Sequence, residues 1–129
     1  KTTLNSKLLN ETASLNSKLS TLNSIADDLA RQTEAVIVIS GPTDYITDGT
    51  HTASVALGSP QMALTTGTGC VASAIIAAHL ANHKSQITNQ TSSPSGGGLV
   101  GATIKAMTLM GQAGTDMSHF LERLHAYQI

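Results

Sequence analysis

An unbroken apolar run at residues 35–39, Ala-Val-Ile-Val-Ile, constrains the fold more than any other feature of this sequence, and it is followed by Ser40 and by Gly41-Pro42. β-Branched residues favour strands, and a short continuous apolar run is typical of a strand that is buried on both faces in a parallel sheet. Asp48-Gly49 lies between further strand-forming residues, which is a strong hairpin signal. The sequence therefore predicts a strand followed by a two-stranded hairpin.

A helix is predicted before the strand. Residues 20–33 have one apolar face, and Ser24 followed by Asp27 resembles a capping box at the start of the helix. Residues 1–19 are biased towards Leu, Asn, Ser and Lys, and Asn and Ser are poor helix formers. We interpret residues 1–19 as a frayed lead-in to this helix rather than as a coiled coil, and residues 20–129 as the structured part of the chain.

Three helices are predicted after the hairpin. Residues 71–80 are nearly apolar all round, which indicates a buried helix, whereas residues 83–98 are polar and rich in Ser, Thr, Asn and Gly, which predicts a surface loop. Two more helices are expected near 99–112 and 115–127, the second beginning at a Thr115 cap. This order is typical of a layered α/β fold in which a short parallel sheet and a hairpin are flanked by helices.

Composition narrows the class of protein. Only 12% of the 129 residues are charged and the net charge is −1, so we expect neither nucleic acid nor an anionic membrane as a partner. The single cysteine, Cys70, excludes an internal disulfide and is typical of a reducing compartment, so we expect a cytoplasmic protein. The chain starts at Lys1 without an initiator methionine, from which we expect a truncated sequence.

A glycine-rich segment, Thr66-Gly67-Thr68-Gly69-Cys70, leads directly into the predicted apolar helix. The start of a helix presents main-chain N–H groups without helical partners, together with the positive end of the helix dipole, and glycine lets an anion approach them. A tight connection into a buried helix would explain the same pattern. The segment is neither a Walker loop nor a dinucleotide fingerprint, because it lacks the lysine and the third glycine.

Two motifs together resemble a known family. Residues 38–49, Val-Ile-Ser-Gly-Pro-Thr-Asp-Tyr-Ile-Thr-Asp-Gly, and residues 64–70, Leu-Thr-Thr-Gly-Thr-Gly-Cys, are similar in sequence and in spacing to the C-terminal half of hydroxyethylthiazole kinases. These enzymes belong to the ribokinase-like superfamily, so the resemblance implies a partial ribokinase-like layered fold with residues 20–129 as the C-terminal part of the kinase domain. It also implies transfer of the ATP γ-phosphate, with Mg²⁺, to the primary alcohol of 4-methyl-5-(2-hydroxyethyl)thiazole in thiamine synthesis and salvage.

The resemblance also implies roles for individual residues. Ser40 stands where the family has a nucleotide-binding threonine, and Gly67 stands at the family's thiazole-binding glycine. The amides of Thr68, Gly69 and Cys70 would stabilise charge on the transferring phosphoryl group. Cys70 stands where most ribokinase-like kinases have an aspartate that activates the alcohol, and its thiol would accept a proton or position the hydroxyl. The alternative is a small buried thiol that only packs the helix.

Several points stay open at the level of sequence. The family's N-terminal half, which supplies a nucleotide-contacting arginine and the acidic magnesium-site residues, has no counterpart here, so no metal ligand is assigned. Family members form trimers, and a homotrimer is therefore expected for the intact protein. Another ribokinase-like vitamin kinase, for hydroxymethylpyrimidine or pyridoxal, is an alternative that Cys70 disfavours, and a non-catalytic structural remnant is a second. His79 and His83 are expected to be an ordinary helix-end pair rather than metal ligands.

Overall fold

The computed structural model describes residues 2–87 and 98–126, which contain three α-helices, one short 3-10 helix and three strands. In chain order the elements are α1 (Thr2–Thr33), β1 (Ile37–Ile39), β2 (Asp44–Thr47), β3 (Thr52–Val55), a short 3-10 helix (Pro60–Leu64), α2 (Thr68–Ile87) and α3 (Leu99–Ala126). No helix in this described part is long and apolar enough to cross a membrane.

The sheet has the order β1-β2-β3, and both of its strand pairs are antiparallel. Ile37 is paired with Thr47, and Tyr45 is paired with Ser54. The predicted hairpin is confirmed, but the predicted parallel sheet is wrong. Only residues 40–43 connect β1 to β2, and a link this short can join neighbouring strands only by reversing the chain. The predicted burial on both faces is also wrong, because β1 is an edge strand whose residues are only partly buried. A continuous apolar run carries no information about strand direction.

Helix α1 packs on one face of this sheet. Its alanines Ala26 and Ala30 are buried at 4% and 0% exposure, so the helix backbone lies close to the strands. The Tyr45 hydroxyl donates to Asp27 Oδ1 at 3.0 Å across this contact. The helix extends N-terminally to Thr2, so the predicted start at a Ser24 capping box is wrong. Poor helix formers are tolerated there because the segment contains neither glycine nor proline.

Helix α3 covers the opposite face, and α2 packs along α3. Ile46 and Val55 from the sheet form the core with Met107 of α3, and Val38 and Ile76 pack against it. Because side chains alternate along β2, Ile46 points towards α3 while Tyr45 and Thr47 lie on the α1 side. The described residues therefore form three layers, helix, sheet and helix pair.

Helix α3 is continuous where two helices were predicted. A β-carbon on Gly111 would lie 3.1 Å from the carbonyl carbon and oxygen of Leu57, so this glycine allows the helix to pack directly on the chain after β3. Thr115 is not a helix cap, because its hydroxyl donates to Gly111 O at 3.1 Å and accepts from Gly58 N–H at 3.2 Å. The glycines serve close packing rather than helix termination.

Helix α2 begins at Thr68 and is only partly covered. Its apolar surface contacts α3 on one side, while Val71 is 50% exposed, so the predicted all-round burial is wrong. An apolar surface favours burial, but within the described residues only α3 lies alongside this helix. The helix continues to Ile87, so the predicted surface loop is wrong over residues 83–87, and its remainder from 88 to 97 lies outside the described residues.

Candidate functional site

A cleft of about 880 Å³ opens between the end of β1, the chain that follows β3, the start of α2 and the middle of α3. Its polar lining, which we call the polar end, includes Ser40, Gly41, Asp44, Thr68 and Gly69. Its apolar lining, which we call the apolar end, includes Leu57, Met62, Ile76, Met107 and Met110. A cleft with one polar and one apolar end suits a ligand that joins a charged group to a ring.

The start of α2 contributes the first part of the polar end. Gly67 has φ +92°, a left-handed conformation that favours glycine, and it turns the chain into the helix. The first helical hydrogen bond runs from Val71 N–H to Gly67 O at 3.0 Å. The N–H groups of Thr68, Gly69 and Cys70 precede that bond, so no helical carbonyl pairs with them. A β-carbon on Gly69 would meet nothing within 4 Å, which leaves the space in front of these amides open.

The link between β1 and β2 contributes the second part. Ser40 follows the last residue of β1 and lines the cleft together with Gly41 and Pro42. Asp44, the first residue of β2, is 7% exposed, and its Oδ1 accepts a hydrogen bond from Gly41 N–H at 3.0 Å. The link therefore places a hydroxyl beside the open start of α2.

The structure brings together three of the five residues singled out in the sequence. Ser40, Thr68 and Gly69 line the cleft, whereas Gly67 and Cys70 are not among its lining residues. Cys70 lies in the first turn of α2 with an exposed side chain. The alternative of a buried packing thiol is therefore wrong, and the thiol is accessible next to the open amides.

Sequence reasoning missed two features of the cleft. One is the role of Asp44: from the sequence it could form a carboxylate pair with Asp48, but Asp48 is engaged at the hairpin turn, where it accepts from Thr50 N–H at 2.8 Å and from His51 N–H at 2.6 Å. The other is the apolar wall, because helical methionines such as Met107 and Met110 are interpreted from sequence as core filler. Met107 does belong to the core at 4% exposure, and both methionines also border the cleft.

Two side chains on the hairpin have a shifted pKa. The pKa of Asp48 is lowered, chiefly because the main-chain N–H of His51 donates to its carboxylate. The pKa of Tyr45 is raised, first by burial and then by its hydrogen bond to Asp27. Neither side chain lines the large cleft, so these shifts concern stability rather than the chemistry of that site.

No group of three His, Cys, Asp or Glu side chains in the described part of the chain is arranged to hold a metal ion. His79 makes its contact within α2, where Nδ1 lies 3.0 Å from Ile75 O. The main chain of His83 belongs to α2, but its side chain is not among those that the structure describes. Asp44 is the one acidic residue among those that line the large cleft.

Comparison with known proteins identifies one family. Residues 7–129 match the model of the hydroxyethylthiazole kinase family. A protein of Pectobacterium atrosepticum named hydroxyethylthiazole kinase is 32% identical over 108 residues, which cover 78% of this chain and 37% of the relative. A protein of the same name from Escherichia fergusonii is 38% identical over 96 residues, or 74% of this chain and 36% of the relative.

Higher identity is confined to a shorter stretch. A hydroxyethylthiazole kinase of Burkholderia pseudomallei is 54% identical over 54 residues, which cover 42% of this chain and 20% of the relative. The chain thus spans between about a fifth and somewhat over a third of the length of these curated relatives.

Proposed function

Because the chain belongs to the hydroxyethylthiazole kinase family, we propose that the intact protein transfers the γ-phosphate of ATP to the primary alcohol of 4-methyl-5-(2-hydroxyethyl)thiazole. One observation in the structure carries this proposal. Ser40 follows β1, and Thr68 lies in the open first turn of α2. The two residues are 28 positions apart in sequence, yet both line the polar end of one cleft. A hydroxyl and a row of free amides at one place suit the phosphates of a nucleotide.

The amides at the start of α2 would act on the transferring group. Charge on the phosphoryl oxygens is stabilised by donors that are already oriented, and the positive end of the helix dipole adds to this effect. Gly69 allows a phosphate to approach, because there is open space where a β-carbon would lie. The Ser40 hydroxyl would hold the nucleotide, and the main chain at Gly67 would contact the thiazole.

Cys70 would act on the alcohol. Its thiol is exposed in the same helical turn as the amides, so an alcohol that approaches the phosphoryl group can reach it. In its thiolate form the side chain would take up the proton of the alcohol as the new O–P bond forms and the bond from the γ-phosphorus to the bridging oxygen of ADP breaks; otherwise the thiol would position the hydroxyl for attack. We expect Cys70→Ala to lower kcat while leaving the affinity for ATP nearly unchanged, since the amides stay in place. Equal loss of both would refute the assignment of Cys70 to the alcohol.

The described residues do not form a magnesium site. Mg²⁺ in kinases is held by one or two carboxylates together with substrate phosphates and water. Asp44 is the acidic lining residue of the cleft in the described part of the chain, and one of its oxygens already accepts from Gly41. The metal ligands would therefore come from residues other than these, and the roles of Ser40, Thr68, Gly69 and Cys70 do not depend on them.

The test is ATP-dependent phosphorylation of hydroxyethylthiazole, detected by mass spectrometry, for this chain and for a form extended at its N-terminus to the length of the relatives. The matched control is a pair of serine variants: Ser40→Ala should weaken ATP binding, whereas Ser54→Ala on β3, away from the cleft, should not.

Product from the extended form would support the kinase, which we expect to be a cytoplasmic homotrimer. Phosphorylation of hydroxymethylpyrimidine or pyridoxal instead would support another vitamin kinase, and no product from any form would favour a non-catalytic remnant.

A further inference from the structure

The buried carboxylate of Asp44 is the most unusual group in the cleft. It lies at the start of β2, is 7% exposed, and borders the cleft on the same side as Ser40. Burying a carboxylate is unfavourable unless hydrogen bonds or an opposite charge compensate for its lost hydration. Among the ion pairs of the described residues, none includes Asp44. Its compensation in that part of the chain is the 3.0 Å hydrogen bond from Gly41 N–H.

This hydrogen bond fixes the segment that carries Ser40. Residues 40–43 form the whole connection between β1 and β2, and the main-chain hydrogen bonds found in the described loops and turns include none within this connection. The orientation of the link therefore depends on the side chain of Asp44. A charged acceptor makes such a bond shorter and stronger than a neutral one does.

We propose that Asp44 is a positioning residue that holds the Ser40-Gly41-Pro42 turn in the orientation in which the Ser40 hydroxyl contacts the nucleotide. The inference rests on the proposed kinase activity and adds to it a residue that determines nucleotide affinity. Asp44 acts through the Gly41 amide and not on the reacting atoms. What it supplies is an acceptor oxygen, and an asparagine at this position retains one.

Thr47 provides a matched control on the same strand. It is also buried, at 0% exposure, and its Oγ1 accepts a hydrogen bond from Gly49 N–H at 2.9 Å. The two side chains make the same kind of contact with a glycine amide at opposite ends of β2, but Thr47 is not among the residues that line the cleft. Thr47→Val therefore removes a comparable hydrogen bond without disturbing the Ser40 turn.

The experiment measures KM for ATP, KM for the thiazole, kcat and the unfolding temperature in the extended, active form. Asp44→Ala should raise KM for ATP about tenfold, as expected for loss of a charge-assisted bond, with KM for the thiazole unchanged. Asp44→Asn should restore KM for ATP to within about threefold of the original. Thr47→Val should lower the unfolding temperature and leave both KM values unchanged.

Two results would overturn the inference. One is an unchanged KM for ATP in Asp44→Ala. The other is a rise in KM for ATP in Asp44→Asn as large as that in Asp44→Ala, which would make the charge itself essential. Amide hydrogen exchange at Gly41 separates this inference from the proposed function and also decides it if Asp44→Ala does not fold. If no form phosphorylates the thiazole, the proposed function fails, while slow exchange at Gly41 that accelerates in Asp44→Asn supports the anchored turn. Fast exchange at Gly41 in the unaltered protein refutes it.

Discussion

Replacing Gly111 of α3 by alanine should destabilise the protein, although alanine is the better helix former. In an exposed helix this change would stabilise by about 1 kcal/mol. Here the added β-carbon would lie 2.6 Å from Leu57 Cβ and 3.1 Å from the Leu57 carbonyl group. Because two of these three atoms belong to the main chain, the conflict is relieved only if α3 moves away from the chain after β3.

The expected balance is a net loss. Overpacking of this kind costs about 1 to 3 kcal/mol, and it acts together with a weakened contact between Thr115 and Gly58. After subtracting the gain in helix propensity, we expect Gly111→Ala to lower the free energy of unfolding by about 1 to 2 kcal/mol. Urea denaturation followed by circular dichroism measures this difference, with an unchanged denaturant slope as the sign that only stability has changed.

Gly69→Ala is the matched comparison. Gly69 is also a helical glycine, but a β-carbon there would meet nothing within 4 Å. Its replacement should leave stability unchanged or raise it by up to about 1 kcal/mol, while kcat falls because the methyl group obstructs the phosphate. If Gly111→Ala were as stable as Gly69→Ala, the close packing of α3 on Leu57 could not be the reason for glycine at position 111.

Two further predictions concern the hairpin. Gly49 has φ +84°, and a β-carbon there would lie 3.0 Å from Arg31 N and Asp27 O. Gly49→Ala should therefore lower the free energy of unfolding by more than about 2 kcal/mol. Gly67→Ala should cost about 1 kcal/mol, because Gly67 also has a positive φ but a β-carbon there would meet open space. Equal losses in urea denaturation would refute the role of the helix contact. The pKa of Asp48 is depressed below its ordinary 3.8, so the stability that its carboxylate contributes is complete above that pH and is lost as the pH falls through the lower folded value. Asp48→Asn should therefore be less stable than the original at about pH 7, and the difference in unfolding free energy should shrink as the pH is lowered below 3.8; a constant difference would contradict this.

Local chemistry in the sequence predicted the strand at residues 37–39, the turn at Asp48-Gly49 and the helix that begins at the glycine loop. In each case the signal and the structure it determines lie within a few residues of each other. The direction of the sheet was predicted wrongly because an apolar run carries no information about strand direction, and β1 proved to be a partly buried edge strand. The break in α3 was predicted wrongly because a glycine that allows close packing and a glycine that ends a helix look the same until the neighbouring chain is known.

The two ends of the cleft also differ in how well the sequence predicts them. Its polar end is formed by the main chain at residues 67–69 and by residues 40–44, so short sequence motifs predict it. Its apolar end exists only because Gly111 lets α3 approach Leu57, which brings residues more than 50 positions apart to one wall. A motif therefore identifies the reaction more readily than the binding site for the ring. It follows that Gly111→Ala, by moving Leu57 away from Met110, should weaken binding of whichever apolar part of a ligand occupies this end, while leaving the phosphate contacts intact.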